Sequence, residues 1–212
     1  MLDYLSTRRG FGYNGGILSP DCTQFILNIP KNSSSFMVDW AHRHNWTAAV
    51  VHDNCDWNKV TEVIVILRDP VERWISGITQ YLVSYVLNGN RQSLKAEEFI
   101  SQYNSVIENL IFDVVDRFDD HVWPQVEILQ DVLPLAERKY FLLNQDFTKK
   151  IGSYLKFNTF KDLDVHSTHE DPTKQTIYDF FKKLLESRND LKQKVIDVYA
   201  NDYELINKVT FQ

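Results

Sequence analysis

The chain has 212 residues, a length that favours one domain with room for a sizeable core. A hydrophobic share of 43% and a charged share of 25% are ordinary globular values, and the net charge of −6 argues against a general nucleic-acid binder. Neither a long apolar run nor a signal-like N-terminal segment occurs, so the expectation is a cytoplasmic protein without a membrane anchor. Cys22 and Cys55 form no C-x-x-C pair and read as two free thiols, with a single Cys22–Cys55 bridge as the alternative, and not as metal ligands or a disulfide framework.

Residues 1–23 hold Gly10, Gly12, Gly15 and Gly16, and read as a loop-rich lead-in to a single domain. An apolar run, Phe25-Ile26-Leu27-Asn28-Ile29, predicts a strand over 24–29. The stretch IPKNSSSF (29–36) then opens a helix to about residue 44, with Phe36, Met37, Trp40 and Ala41 on one face. A second strand, 48–51, ends at His52. The third, 60–67, is nearly continuously apolar, as a strand buried on both faces of a parallel sheet would be. Asp69 and Pro70 suit the cap and first position of a helix over 71–87, packed through Trp74, Ile78, Tyr81, Leu82 and Tyr85 and ended by Gly89.

Residues 93–118 read as one helical stretch with Ser93 as its cap, and FDDHVWPQ (118–125) as a turn-like break. A strand over 139–143 and a helix over 146–155 follow. Residues 158–173 form a polar connection carrying His166, His169 and Pro172, and the chain ends helically through 191–206. This order of elements is that of an α/β layer fold with ligands at the carboxyl ends of its strands. Lys31, His52 and Arg68 each stand just past such an end.

A strand that feeds a short polar loop and then a helix offers unpaired N–H groups and a favourable dipole to an anion. Lys31 adds positive charge there, and Ser33, Ser34 and Ser35 add hydroxyls, so the stretch reads as a phosphate or sulfate site. It is not a Walker loop, which places glycines before a lysine at the helix start. The pattern resembles instead the 5′-phosphosulfate loop of sulfotransferases, P-K-T-G-x-[ST]. VIVILRDPVERWISG (63–77) resembles their 3′-phosphate motif, an Arg at a strand end and a Ser eight positions later, here Arg68 and Ser76. HVWPQ is similar to an H-W-x-P-Q-like element of the carbohydrate sulfotransferases, and LKQKVIDVYANDYELI (191–206) to their terminal Y-x-x-D-Y-x-L helix.

The resemblance implies a P-loop-like three-layer α/β fold, a central mainly parallel sheet flanked by helices. It implies 3′-phosphoadenosine 5′-phosphosulfate (PAPS) as cofactor, 3′-phosphoadenosine 5′-phosphate (PAP) as product, and a hydroxyl or amine of a carbohydrate or small molecule as sulfuryl acceptor. Lys31, Asn32, Ser33, Ser34, Ser35 and Phe36 would hold the 5′ end, Arg68 and Ser76 the 3′-phosphate, and Lys31 would stabilise the leaving phosphate. His52 or His121 would be the general base, with Glu62 behind them; no metal is implied, and residues 158–173 would form a flap over the cofactor. His42 and His44 read as structural, and Arg73 as an ion-pair partner of Asp69 or Glu72. Asn32 and Ser33 replace the usual Thr and Gly, and serine lacks glycine's freedom at positive φ, so a loop helical from its start or a shifted cofactor geometry is expected. Two other readings stay open: a P-loop-type small-molecule or nucleoside kinase, and a non-catalytic nucleotide-binding module of the same fold.

Overall fold

The computed structural model describes residues 15–50, 56–87, 95–130, 132–133, 135–156 and 171–210. The chain folds as α/β with a five-stranded sheet of order β3-β1-β2-β4-β5. The strands are β1 (Gly15–Leu18), β2 (Gln24–Leu27), β3 (Thr47–Val50), β4 (Glu62–Leu67) and β5 (Glu137–Leu142). The pairs β2–β4 and β4–β5 are parallel, whereas β1 pairs antiparallel with both β2 and β3. The sheet is therefore mixed, not mainly parallel in its pairings. Yet β3, antiparallel to β1, runs the same way as β2, so β2, β3, β4 and β5 all end at one edge.

The reversed strand β1 lies where a loop-rich lead-in was expected. Its two glycines hide it in the sequence, and one of them is there for close approach: a Cβ on Gly16 would run into the Ile26 carbonyl oxygen and the Phe25 ring on the neighbouring strand. The described residues cluster into two compact units. One takes in Gly12–Asp69 and Gln125–His166, and contains the sheet; the other takes in Pro70–Pro124 and Ser167–Tyr203, and is helical.

In the sheet unit, α1 (Ser34–Arg43) and α6 (Phe147–Tyr154) bury one side each against the same face of the sheet. Phe36, Met37, Trp40 and Ala41 of α1 meet Ile17, Ile26, Ile64 and Ile66, as the helical spacing predicts. His44 stacks on Trp40 at 4.9 Å, and its Nδ1 lies 2.7 Å from the Trp40 carbonyl oxygen, in the structural role expected of it. Val63, Val65 and Leu67 are buried as well, so β4 is covered on both faces.

The helical unit is built on α2 (Pro70–Tyr81), which continues as a π-helical segment through Leu82–Leu87. Trp74 is buried against Phe112 and Phe181, and its indole N–H donates to the Val115 carbonyl at 3.0 Å. The stretch expected as one helix over 93–118 is two, α3 (Ala96–Gln102) and α4 (Ser105–Asp113), because Asn104 caps the second by accepting from the N–H groups of Val106 and Ile107. After the short α5 (Gln125–Leu129) and α6 come α7 (Pro172–Ser187), α8 (Asn189–Val198) and α9 (Ala200–Thr210). Asp171 caps α7 and Pro172 occupies its first turn. No helix among the described residues is long and apolar enough to cross a membrane.

Candidate functional site

The loop between β2 and α1 starts with a tight turn. The Asn32 N–H donates to the Ile29 carbonyl at 3.1 Å, closing four residues with Pro30 and Lys31 at the centre. Proline's fixed φ suits the first central position, and Lys31 has φ 68°, the left-handed value that the second central position of a type II turn requires. Ser33, the residue before α1, has φ 62°. Left-handed residues thus flank Asn32, and helix α1 begins only at Ser34. The loop is not helical from its start: Ser33 takes up the conformation that a glycine would supply without strain. Each non-glycine residue there costs roughly 1–2 kcal/mol, so the strain is held by its surroundings.

What holds it is a buried amide network. Asn32, 2% exposed, donates through Nδ2 to the Ile66 carbonyl at 2.7 Å and to Gln125 Oε1 at 2.6 Å. The Asn32 side chain therefore points into the fold, and only its backbone could serve a ligand. Gln125, fully buried, also accepts from the Arg68 N–H and donates back to the Arg68 carbonyl, both at 3.0 Å. Its amide pairs with Arg68 as another strand would, just where β4 ends. The Arg68 guanidinium in turn donates through Nη1 to the Lys31 carbonyl at 3.1 Å. Because β2 and β4 are adjacent and parallel, the two expected phosphate-binding motifs emerge side by side from one sheet edge.

Ser34 and Ser35 are in the first turn of α1, where the helical N–H groups lack intrahelical partners. Phe36 is 3% exposed and belongs to the core beneath. Ser76 lies on α2 in the helical unit and is buried. His52, Cys55, His166, His169 and the Ser93 cap lie outside the described residues, as does most of the expected flap. Cys22 is a free thiol. Glu62 stands at the start of β4, the opposite end of the strand from Arg68, and accepts from Gln24 Nε2 at 2.8 Å and from the Tyr154 hydroxyl. Arg73 is buried, and its guanidinium donates to the carbonyl oxygens of Trp123 and Asp120.

His121 belongs to the helical unit, where its Nδ1 lies 3.1 Å from Asp119 Oδ2 and 3.2 Å from Asp120 Oδ1. Burial opposes the charged imidazole, but hydrogen bonds to both carboxylates, reinforced by their charges, outweigh it and raise its pKa to about 9. The same contact holds Asp120 below the usual carboxylate range. The three residues also bring metal-type ligand atoms within 4.8 Å of one another. With the proton on the imidazole, the trio is satisfied as an ion cluster. Nearby, Tyr199 donates its hydroxyl hydrogen to the Val122 carbonyl, tying the terminal Y-x-x-D-Y element to the HVWP turn.

Gln125 joins this site from outside both expected phosphate-binding motifs. It was visible as the last letter of HVWPQ, but nothing in a linear pattern tells a buried clamp from a loop glutamine. The sheet unit thus presents an α/β strand–loop–helix element with a cationic, N–H-rich rim. No protein-family model, no curated protein and no solved structure matches the chain.

Proposed function

We propose that the protein is a sulfotransferase that uses PAPS and modifies a hydroxyl or amine of a carbohydrate or small molecule. The observation that carries this reading is the pair of left-handed residues, Lys31 and Ser33, in the loop that joins β2 to α1. Alternation of left-handed with ordinary backbone turns successive N–H groups to one side, an arrangement suited to a phosphate-like anion. The donor set fits such a ligand: loop and helix N–H groups, serine hydroxyls, the Lys31 ammonium and the Arg68 guanidinium beside them.

When bound, PAPS supplies a sulfuryl group joined through a bridging oxygen to a phosphate leaving group. The loop N–H groups and Ser33 hold the 5′ end, and the Lys31 ammonium offsets the negative charge that grows on the bridging oxygen as the sulfur–oxygen bond breaks. Arg68 grips the 3′-phosphate with forked donors, for which its position at the end of β4 is suited. His52 is assigned to take the proton from the acceptor hydroxyl as its oxygen bonds to sulfur. His121 is not assigned that role, because an imidazole that keeps its proton to about pH 9 cannot accept another at neutral pH.

Calorimetric titration with PAP tests the reading. Micromolar binding that Arg68→Ala weakens about tenfold or more, roughly 1.4 kcal/mol, supports it. A folded protein that ignores PAP but binds nucleoside triphosphate with magnesium is a kinase-type protein, and the sulfotransferase reading falls. Tight PAP binding with no sulfuryl transfer to any acceptor marks a non-catalytic module.

A further inference from the structure

We propose that Gln125 is the positioning residue that sets the distance between the two phosphate-binding motifs, and so gives the site its preference for a nucleotide phosphorylated at both ends. The inference rests on the sulfotransferase reading of Lys31 and Arg68, and adds to it a residue that touches neither phosphate. Gln125 is fully buried, and its single amide is shared between the two motifs: Oε1 accepts from Asn32 Nδ2 at 2.6 Å and from the Arg68 N–H at 3.0 Å, while Nε2 donates to the Arg68 carbonyl at 3.0 Å.

The geometry explains why one residue can do this. The loop after β2 and the end of β4 belong to separate segments, and beyond Leu27 and Leu67 no strand ladder joins them. Across that gap run the Asn32 contacts to Ile66 and Gln125, and the Arg68 contact to the Lys31 carbonyl. Planar amides hydrogen-bonded at both ends have little freedom, so the loop and the Arg68 backbone move together. The left-handed conformations of Lys31 and Ser33 are strained and need such a restraint to persist. A ligand that bridges both motifs benefits from the fixed spacing, whereas one that meets only the loop does not.

The experiment compares PAP with adenosine 5′-monophosphate, which lacks the 3′-phosphate, on wild type and on Gln125→Met. Methionine matches glutamine in length and removes these three hydrogen bonds. The expected result is a loss of about tenfold or more for PAP and of less than about threefold for the monophosphate, so the preference for the 3′-phosphorylated ligand collapses. In an Arg68→Ala background the same substitution should cost PAP less than about twofold, because the two residues act as one unit. A folded Gln125→Met protein that loses both ligands equally, or neither, overturns the inference and leaves the sulfotransferase reading standing. Wild type that binds no PAP overturns both. Should Gln125→Met fail to fold, Gln125→Asn keeps the amide but draws it back by one methylene; a PAP-to-monophosphate preference equal to wild type in that variant overturns the inference as well.

Discussion

Ser33→Gly is the substitution that most directly questions the loop geometry. Ser33 stands at φ 62° immediately before α1, and its side chain makes no capping hydrogen bond to that helix. Removing the Cβ relieves a left-handed strain of roughly 1–2 kcal/mol. Against this, glycine's greater freedom in the unfolded chain takes back about 0.5–1 kcal/mol. The net expectation is a gain of about 0.5–1 kcal/mol, or about 1–4 °C in Tm for a chain of this size. Ser33→Ala is the companion variant. An ordinary N-cap serine loses about 0.5–2 kcal/mol on that change, whereas here the loss should stay near or below about 0.5 kcal/mol, because no cap bond is broken. Urea unfolding of the three proteins, with m-values compared, reads both effects. If Ser33→Gly destabilises by about 1 kcal/mol or more, or Ser33→Ala loses a full cap's worth, Ser33 is an ordinary N-cap and the left-handed loop is refuted.

Three further outcomes are expected. Gly77→Ala should destabilise by about 1–3 kcal/mol in urea, because a Cβ on α2 would meet the His121 carbonyl oxygen and lie 2.9 Å from Val122 Cγ1; a neutral result would mean that α2 does not pass so close to that turn. His121 has a raised folded pKa, so its stabilising contribution is full below its ordinary pKa of 6.5 and is lost as pH rises through about 9. Discounted for a side chain 32% exposed, wild type should lose about 1–2 kcal/mol between pH 7 and pH 10 relative to His121→Asn, and a pH-independent difference would remove the ion cluster from the account. Asp171→Ala removes an acceptor for the N–H groups of Thr173 and Lys174 and should lower stability by about 0.5–2 kcal/mol by thermal unfolding, with no effect expected if α7 begins elsewhere.

Local features of this chain are legible in the order of its residues. Phe36, Met37, Trp40 and Ala41 mark the buried side of α1 because a helix brings i, i+1, i+4 and i+5 to one face, and all four lie in the core of the sheet unit. Pro30 before Lys31 favours the turn that opens the loop, and the apolar run before Arg68 fixes β4, since both depend on neighbouring residues alone. Where the determinant was distant, the linear pattern failed. Strand β1 was hidden by its glycines, and the purpose of Gly16 appears only against Phe25 and Ile26 on the next strand. Ser33 adopts the conformation reserved for glycine because tertiary contacts outweigh a local preference of roughly 1–2 kcal/mol. His121 keeps its proton because Asp119 and Asp120 are folded around it, which a string of three polar letters does not reveal. Above all, Asn32 and Gln125 are 93 positions apart, yet their buried amides must satisfy each other or lose the solvation they gave up on folding. That pairing, and with it the fixed spacing of the two motifs, was decided only by the tertiary structure.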